Sequence, residues 1–285
     1  MLLLSGHSAD AADVQSAAWG DGDDLDAIDD RALFVVGNTL FTVYHELGHA
    51  LIDLLKLPVI GREEDAVDGF AAVTMIPEKP DEVRDALIVA VGDGWRAQSG
   101  VAAEEDERAY WGEHALDAQR HFAIVCLMVG SDQEGFYDYA LEAGLPDERI
   151  ETCTHDFTRM KRGWKRLLAP HKPGTKVAEM PTAANLPVAP NEPVAPNEPV
   201  APVDLVFDDP LPKQEEVYDL VRRDGLLEDA ILRFGNEIIL PSPVTVRFTP
   251  CEEANAFWSR SEGEVLVCYE LIDEFDAILL ETAFR

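Results

Sequence analysis

The sequence predicts an α+β fold, mainly helical, with a small antiparallel sheet contributed by the C-terminal segment. Three features carry this expectation. A long stretch near the N-terminus repeats apolar residues every three or four positions, the period of a buried helix. Strand-like alternation is confined to the last part of the chain. A proline-rich interruption separates the two.

Residues 1–30 hold eight aspartates, no Lys or Arg, and no apolar periodicity, so they read as a flexible acidic leader. From Arg31 to Leu57 the positions Leu33, Phe34, Val36, Leu40, Phe41, Tyr44, Leu47, Leu51, Leu54 and Leu55 define one long, largely buried helix, which Pro58 closes. Further helices are expected over 64–75, ending before Pro77, and over 81–90, 116–129 and 157–168. Together, 31–170 form the helical core.

Between 171 and 212 the composition changes. The hexad Pro-Val-Ala-Pro-Asn-Glu at 187–192 recurs at 193–198 and begins again at 199–202, a density of proline that favours extended backbone and cannot build a core. We read a semi-stiff linker. Beyond it, Gln214 to Leu240 reads as two helices punctuated by Gly225. Val244–Phe248 and Glu264–Tyr269 alternate as the strands of a hairpin turned over Ser259–Gly263. A lone hairpin is marginally stable, and the region before Arg31 offers no strand, so 213–285 is expected to complete the fold of 31–170. The competing arrangement makes 213–285 the start of a second copy.

With 47% hydrophobic residues in 285, the chain can bury one substantial core or two small ones, which excludes fibrous and fully disordered classes. Against 55 Asp and Glu stand 23 Lys and Arg, a formal charge of -32 that would repel phosphate backbones and anionic lipid. Nucleic acid is therefore not an expected partner. No run approaches the roughly 18 apolar residues of a membrane span, and Met1–Leu4 lacks the basic residues of a secretory signal. The four cysteines show no CxxC spacing and leave two disulfides open, which would imply an oxidising compartment, periplasmic or extracellular.

His45-Glu46-Leu47-Gly48-His49 is an HExxH sequence inside the long helix. Residues four apart share a helix face, so both imidazoles can reach one ion with Glu46 beside it. A catalytic zinc needs a third protein ligand and one open position, and Glu63, Glu64, Asp65 and Asp68 follow soon after the turn at Pro58 and Gly61. His7, His121, His155 and His171 show no ligand spacing. His114, and more weakly Tyr110, are candidates to donate a hydrogen bond to a developing oxyanion, although no spacing rule places them near a metal.

His45–Leu55 followed by Leu57–Asp68 resembles a bacterial family of zinc metallopeptidases that carries a domain-of-unknown-function label, and the wider gluzincin group, in which a glutamate on a second helix completes the site. Trp111–Arg120, Cys126, Gly130–Asp132 and Leu145–Cys153 extend the resemblance over about 32–170. Leu240-Pro241, Val244–Cys251, Asn255–Phe257 and Cys268–Leu271 are similar to the segment that in the family lies upstream of the HExxH helix, so the order here is reversed, as in a permuted chain. The resemblance implies a zincin-like fold and zinc as cofactor, with a peptide or protein as substrate. By it, His45, His49 and Glu64 are the metal ligands, Glu46 is the general base and Asp68 orients a ligand histidine. Glu63 and Asp65 remain rivals of Glu64. It also implies disulfides joining Cys126 to Cys153 and Cys251 to Cys268. The bland alternative is a zinc-binding module with the same fold and no catalysis. Oligomeric state, substrate preference and biological role are not encoded in any of these features.

Overall fold

The structure, a computed structural model, describes residues 28–101, 110–174 and 203–283. Most of the expected leader and of the proline-rich linker, including its hexads, lies outside the described residues. Residues 203–207, within the span read as linker, form a strand.

The central element is helix α1, Asp30–Leu55. The Asp29 carboxylate caps its start by accepting the Arg31 N–H at 3.0 Å. At its end Lys56 turns left-handed, φ 53°, and the Leu57 N–H returns to Ile52 O before Pro58 forbids continuation. Val35, Val36, Leu40, Val43, Leu47 and Leu51 are all buried, so α1 is apolar nearly all round and has to be covered on every side. Helices α2 (Glu63–Met75) and α3 (Glu82–Val101) supply part of that cover. An outer layer follows, with α4 (Asp117–Ser131) packed on α6 (Asp147–Leu168), linked by α5 (Gln133–Glu142) and stapled by the Cys126–Cys153 disulfide. Helices α5 and the first half of α6 exceed what periodicity predicted, and α3 runs a further ten residues or so beyond its expected end.

The remaining cover comes from beyond residue 203. The elements are β1 (Val203–Phe207), α7 (Glu215–Arg222), α8 (Leu226–Glu237), β2 (Val244–Thr249), β3 (Ala256–Ser259), β4 (Glu264–Cys268) and α9 (Tyr269–Ala283). The fold is thus mainly helical with a small sheet in the C-terminal part. Tyr44 on α1 donates its hydroxyl to Ala230 O on α8 at 3.1 Å. Arg31 grips Asp276 on α9 through two N–H groups, 2.6 and 2.7 Å, and Glu216 on α7 through a third at 2.6 Å.

The sheet corrects one expectation. Its order is β1-β2-β4-β3, and β1 with β2 and β2 with β4 are parallel; only β3 and β4 are antiparallel. The sheet is therefore mixed, not antiparallel. Alternation in 244–248 and 264–269 identified two strands correctly but could not say what paired them. The intervening residues 256–259 form β3, which turns back onto the far side of β4, so β2 and β4 run in the same direction side by side. The second disulfide, Cys251–Cys268, ties the exit of β2 to the end of β4. Tyr269, expected as the last strand residue, instead opens α9, whose Ile272, Phe275 and Ile278 follow a helical period.

Candidate metal centre

The cluster is assembled by one close helix contact. Gly48, inside the HExxH sequence, faces α2 so closely that a Cβ placed there would stand 2.9 Å from Val67 Cβ. Lacking that atom, α1 admits α2, and the loop before α2 turns at Gly61 with φ 112°, a conformation that favours glycine. The first turn of α2 is thereby laid against His45 and His49.

Three donor atoms then converge. His45 Nε2 and His49 Nε2 are 3.3 Å apart, and Glu64 Oε2 stands 3.2 Å from the first and 3.5 Å from the second. His114 Nε2 approaches the same oxygen to 2.9 Å, its ring stacked over His45 with centroids 6.0 Å apart. Yet Glu64 Oε2, buried beneath these rings, makes no well-directed hydrogen bond. The contacts are close in distance and poor in angle, as expected where several lone pairs face one point. The donor set fits a divalent ion: ligands at about 2.0–2.1 Å around a tetrahedral zinc stand ~3.3–3.4 Å from one another. His45, Glu64 and His114 can hold an ion as one set, and His45, Glu46 and His49 form another overlapping it.

The far side of each imidazole is also fixed. His45 Nδ1 lies 2.8 Å from Asp68 Oδ1, and His49 Nδ1 lies 2.8 Å from Glu63 Oε1. A carboxylate accepts, so Nδ1 carries the proton and Nε2 is left with its lone pair toward the cluster. Asp68 is gripped in turn by Arg120 through Nε at 2.7 Å and Nη2 at 2.6 Å, and the guanidinium lies 3.7 Å over the Trp95 ring. Glu63, a rival for the ligand role, thus faces the outer nitrogen of His49, while Asp65 is exposed. Tyr110 is exposed as well.

Glu46 is buried, with its Oε1 4.0 Å from His45 Nε2 and its Oε2 accepting the Trp258 backbone N–H at 2.9 Å. Burial pushes its carboxyl above the ordinary carboxylate range. Glu64 is moved the other way, well below that range, by the imidazoles of His114, His45 and His49. Burial works against charge on His49, but Glu64 and Glu63 outweigh it and push the imidazole up to about 9. At Asp68, too, burial is overcome, by His45 and Arg120, and the carboxyl is held low.

Glu63, Trp95, Arg120, Asp53 and Trp258 were not singled out from the sequence as site residues. Each reaches the cluster from another helix turn, helix or strand, so no local spacing marks it; only Arg120, in the segment that carries the family resemblance, had a usable signal.

An HExxH helix crossed by a second helix that delivers a glutamate to both histidines defines a class of helical proteins with a candidate divalent-metal centre. The model of one family, DUF4344, described as "Putative metallopeptidase", matches residues 13–168 and 208–285, and the chain belongs to that family. No curated protein and no solved structure matches the chain. Among the described residues, no helix is long and apolar enough to cross a membrane.

Proposed function

We propose that the chain is a zinc-dependent peptidase with a zincin-like fold. The observation that carries this reading is the triangle of His45 Nε2, His49 Nε2 and Glu64 Oε2, with sides of 3.2 to 3.5 Å. These three residues hold the ion. When bound, zinc supplies Lewis acidity, which acidifies a water molecule and polarises a carbonyl. Glu46, anchored by Trp258 and raised in pKa by its burial, takes the proton of the water that attacks the scissile carbonyl and passes it to the leaving amine. His114 donates a hydrogen bond to the oxygen on which charge develops. Asp68 and Glu63 keep the two imidazoles in the tautomer that ligation requires.

We further infer that residues 213–285 complete the catalytic fold in reversed family order, with the proline-rich 171–212 spanning the join. The substrate is a peptide or protein. Two disulfides favour an oxidising compartment, periplasmic or extracellular.

A second reading has its own observation. His114 Nε2 lies 2.9 Å from Glu64 Oε2, close enough to act as a fourth protein ligand, and a site closed by four protein ligands is structural. Elemental analysis of the purified chain and of Glu64→Ala, His114→Ala and Glu46→Gln variants tests both. The peptidase reading expects about one zinc per chain, lost in Glu64→Ala, kept in His114→Ala, and kept without turnover in Glu46→Gln. Wild-type cleavage by Glu46→Gln would overturn the mechanism, and a rise in cleavage on removal of His114 would favour the closed site.

A further inference from the structure

Beside His45 and Glu46 opens a cleft of about 640 Å³ whose walls are Phe41, Trp95, Leu271, Phe275 and Ala256, with Arg120 at one side. The wall residues come from four elements, α1, α3, β3 and α9, and bring aromatic or aliphatic surface to a space that begins at the reactive carboxylate. Phe41 and Phe275 are themselves buried, at 2% and 7% exposure, so the wall is packed from behind and held in shape.

Polar groups of the lining are already engaged. Asn38 donates its amide to Phe34 O and Ala90 O, and Thr42 donates its hydroxyl to Asn38 O. Arg120 spends Nε and Nη2 on Asp68 and stacks on Trp95. A charged side chain entering this space would give up its hydration and find these groups committed elsewhere, a cost that the apolar walls do not offset. A large apolar side chain would bury its own surface against hydrophobic walls from four elements.

We propose that this cleft is the specificity pocket of the site and that the substrate is a peptide presenting a bulky apolar or aromatic side chain, Phe, Leu or Trp, next to the bond facing Glu46. The proposal deepens the peptidase reading and rests on it for the word substrate. The cleft's preference as a binding surface does not depend on turnover.

The test uses zinc-loaded full-length Glu46→Gln protein and a series of blocked pentapeptides that differ only at the central residue: Phe, Leu, Ala, Lys or Asp. Binding is read by isothermal titration calorimetry and by the fluorescence of Trp95, compared with a Trp95→Phe control. The expected result is Phe and Leu binding at least about 10-fold tighter than Ala, Lys or Asp. Leu271→Trp, which fills the cleft from a partly exposed position, should remove the Phe preference while zinc content stays unchanged. Equal affinities across the series, or a preference for Asp or Lys, would overturn the proposal, as would absence of binding by every peptide. If the Phe peptide binds selectively and the wild-type chain never cleaves it, the pocket stands and the peptidase reading falls.

Discussion

The carboxylate of Glu46, in the middle of helix α1, accepts the backbone N–H of Trp258 on strand β3 at 2.9 Å, across 212 positions of sequence. Strand β3 is an edge of the sheet, so an outward N–H of this kind would ordinarily face solvent. Here it fixes the direction of the carboxylate, leaving Oε1 toward the histidines. The C-terminal segment therefore contributes to the orientation of the candidate base as well as to the burial of α1.

One helix turn beyond His49, Asp53 repeats the connection. Its Oδ2 accepts the Trp258 indole N–H at 3.3 Å, its Oδ1 pairs with Arg260 at 2.6 Å, and Lys56 stands 3.3 Å away. Burial opposes ionisation of this carboxyl, but the Trp258, Lys56 and Arg260 donors prevail and hold it below its ordinary value. A depressed carboxylate stabilises the fold above its unfolded pKa, and that contribution is lost as pH falls through the folded value. Asp53→Asn should cost about 1–2 kcal/mol at pH 7 by urea denaturation, and the gap from wild type should close toward pH 3. Zinc stoichiometry should not change, because Asp53 touches neither imidazole. A gap that persists undiminished in acid would show that the ion pairs are not its source.

Arg120 acts through Asp68. Removing it leaves a buried carboxylate without its bidentate partner, and losses of this kind run to about 3–5 kcal/mol. Arg120→Lys keeps the charge but cannot reproduce the two-pronged contact or the stacking on Trp95. Loss of such outer partners typically lowers metal affinity by about 10–100-fold. We expect Arg120→Lys to fold and to bind zinc at least about 10-fold more weakly, measured by competition with a chromogenic chelator. Unchanged affinity would mean that Asp68 orients His45 unaided.

These contacts explain which parts of the molecule were readable in advance. Helix α1 announced itself because its apolar residues are numerous and periodic, and the convergence of His45, His49 and Glu64 needed only a helix, a turn at Gly61 and a second helix. Helix α6 resisted because its buried positions are few, among them Ile150, Cys153 and Trp164, set in a charged sequence that has no strong local period. Strand direction resisted for another reason: alternation in Val244–Thr249 encodes a buried face, whereas the parallel partner β4 is chosen by the path through residues 250–263. Asp53, Arg120 and Trp258 act across elements, and nothing in their immediate neighbours records the element they meet. The cysteine pairing inferred from family resemblance is the pairing found.

The Cys126–Cys153 disulfide spans 27 positions and joins α4 to α6, the pair that forms the outer layer. Closing a loop of that length in the unfolded chain is worth about 3 kcal/mol. The pair Cys126→Ser with Cys153→Ser should lower the urea-derived stability by about 2–4 kcal/mol, and reductant should have a similar effect on the wild-type chain. The cluster residues of α1 and α2 lie outside the bridged loop, so zinc stoichiometry should survive under conditions where the variant is folded. Loss of zinc from the folded variant would show that the outer layer positions the site directly.

Gly48 provides the sharpest separation of packing from chemistry, since it sits between two candidate ligands and contributes no ligand atom. Alanine is favoured over glycine in a helix by about 1 kcal/mol, so propensity alone predicts that Gly48→Ala stabilises. The geometry opposes this, because the new methyl would meet Val67 Cβ and Cγ1 at 2.9 Å and Phe70 Cδ1 at 3.2 Å. Overpacking in a closed helix contact costs about 1–3 kcal/mol, which cancels or exceeds the benefit. Relief requires α2 to move outward, and that movement carries Glu64 away from both imidazoles. We therefore expect Gly48→Ala to weaken zinc binding more than it weakens the fold, and Gly48→Ala with Val67→Ala to recover much of the affinity by making room for the methyl. Measuring zinc affinity and urea stability for both single variants and the double variant closes the cycle. Full additivity of the two substitutions would show that the contact between Gly48 and Val67 does not set the position of Glu64.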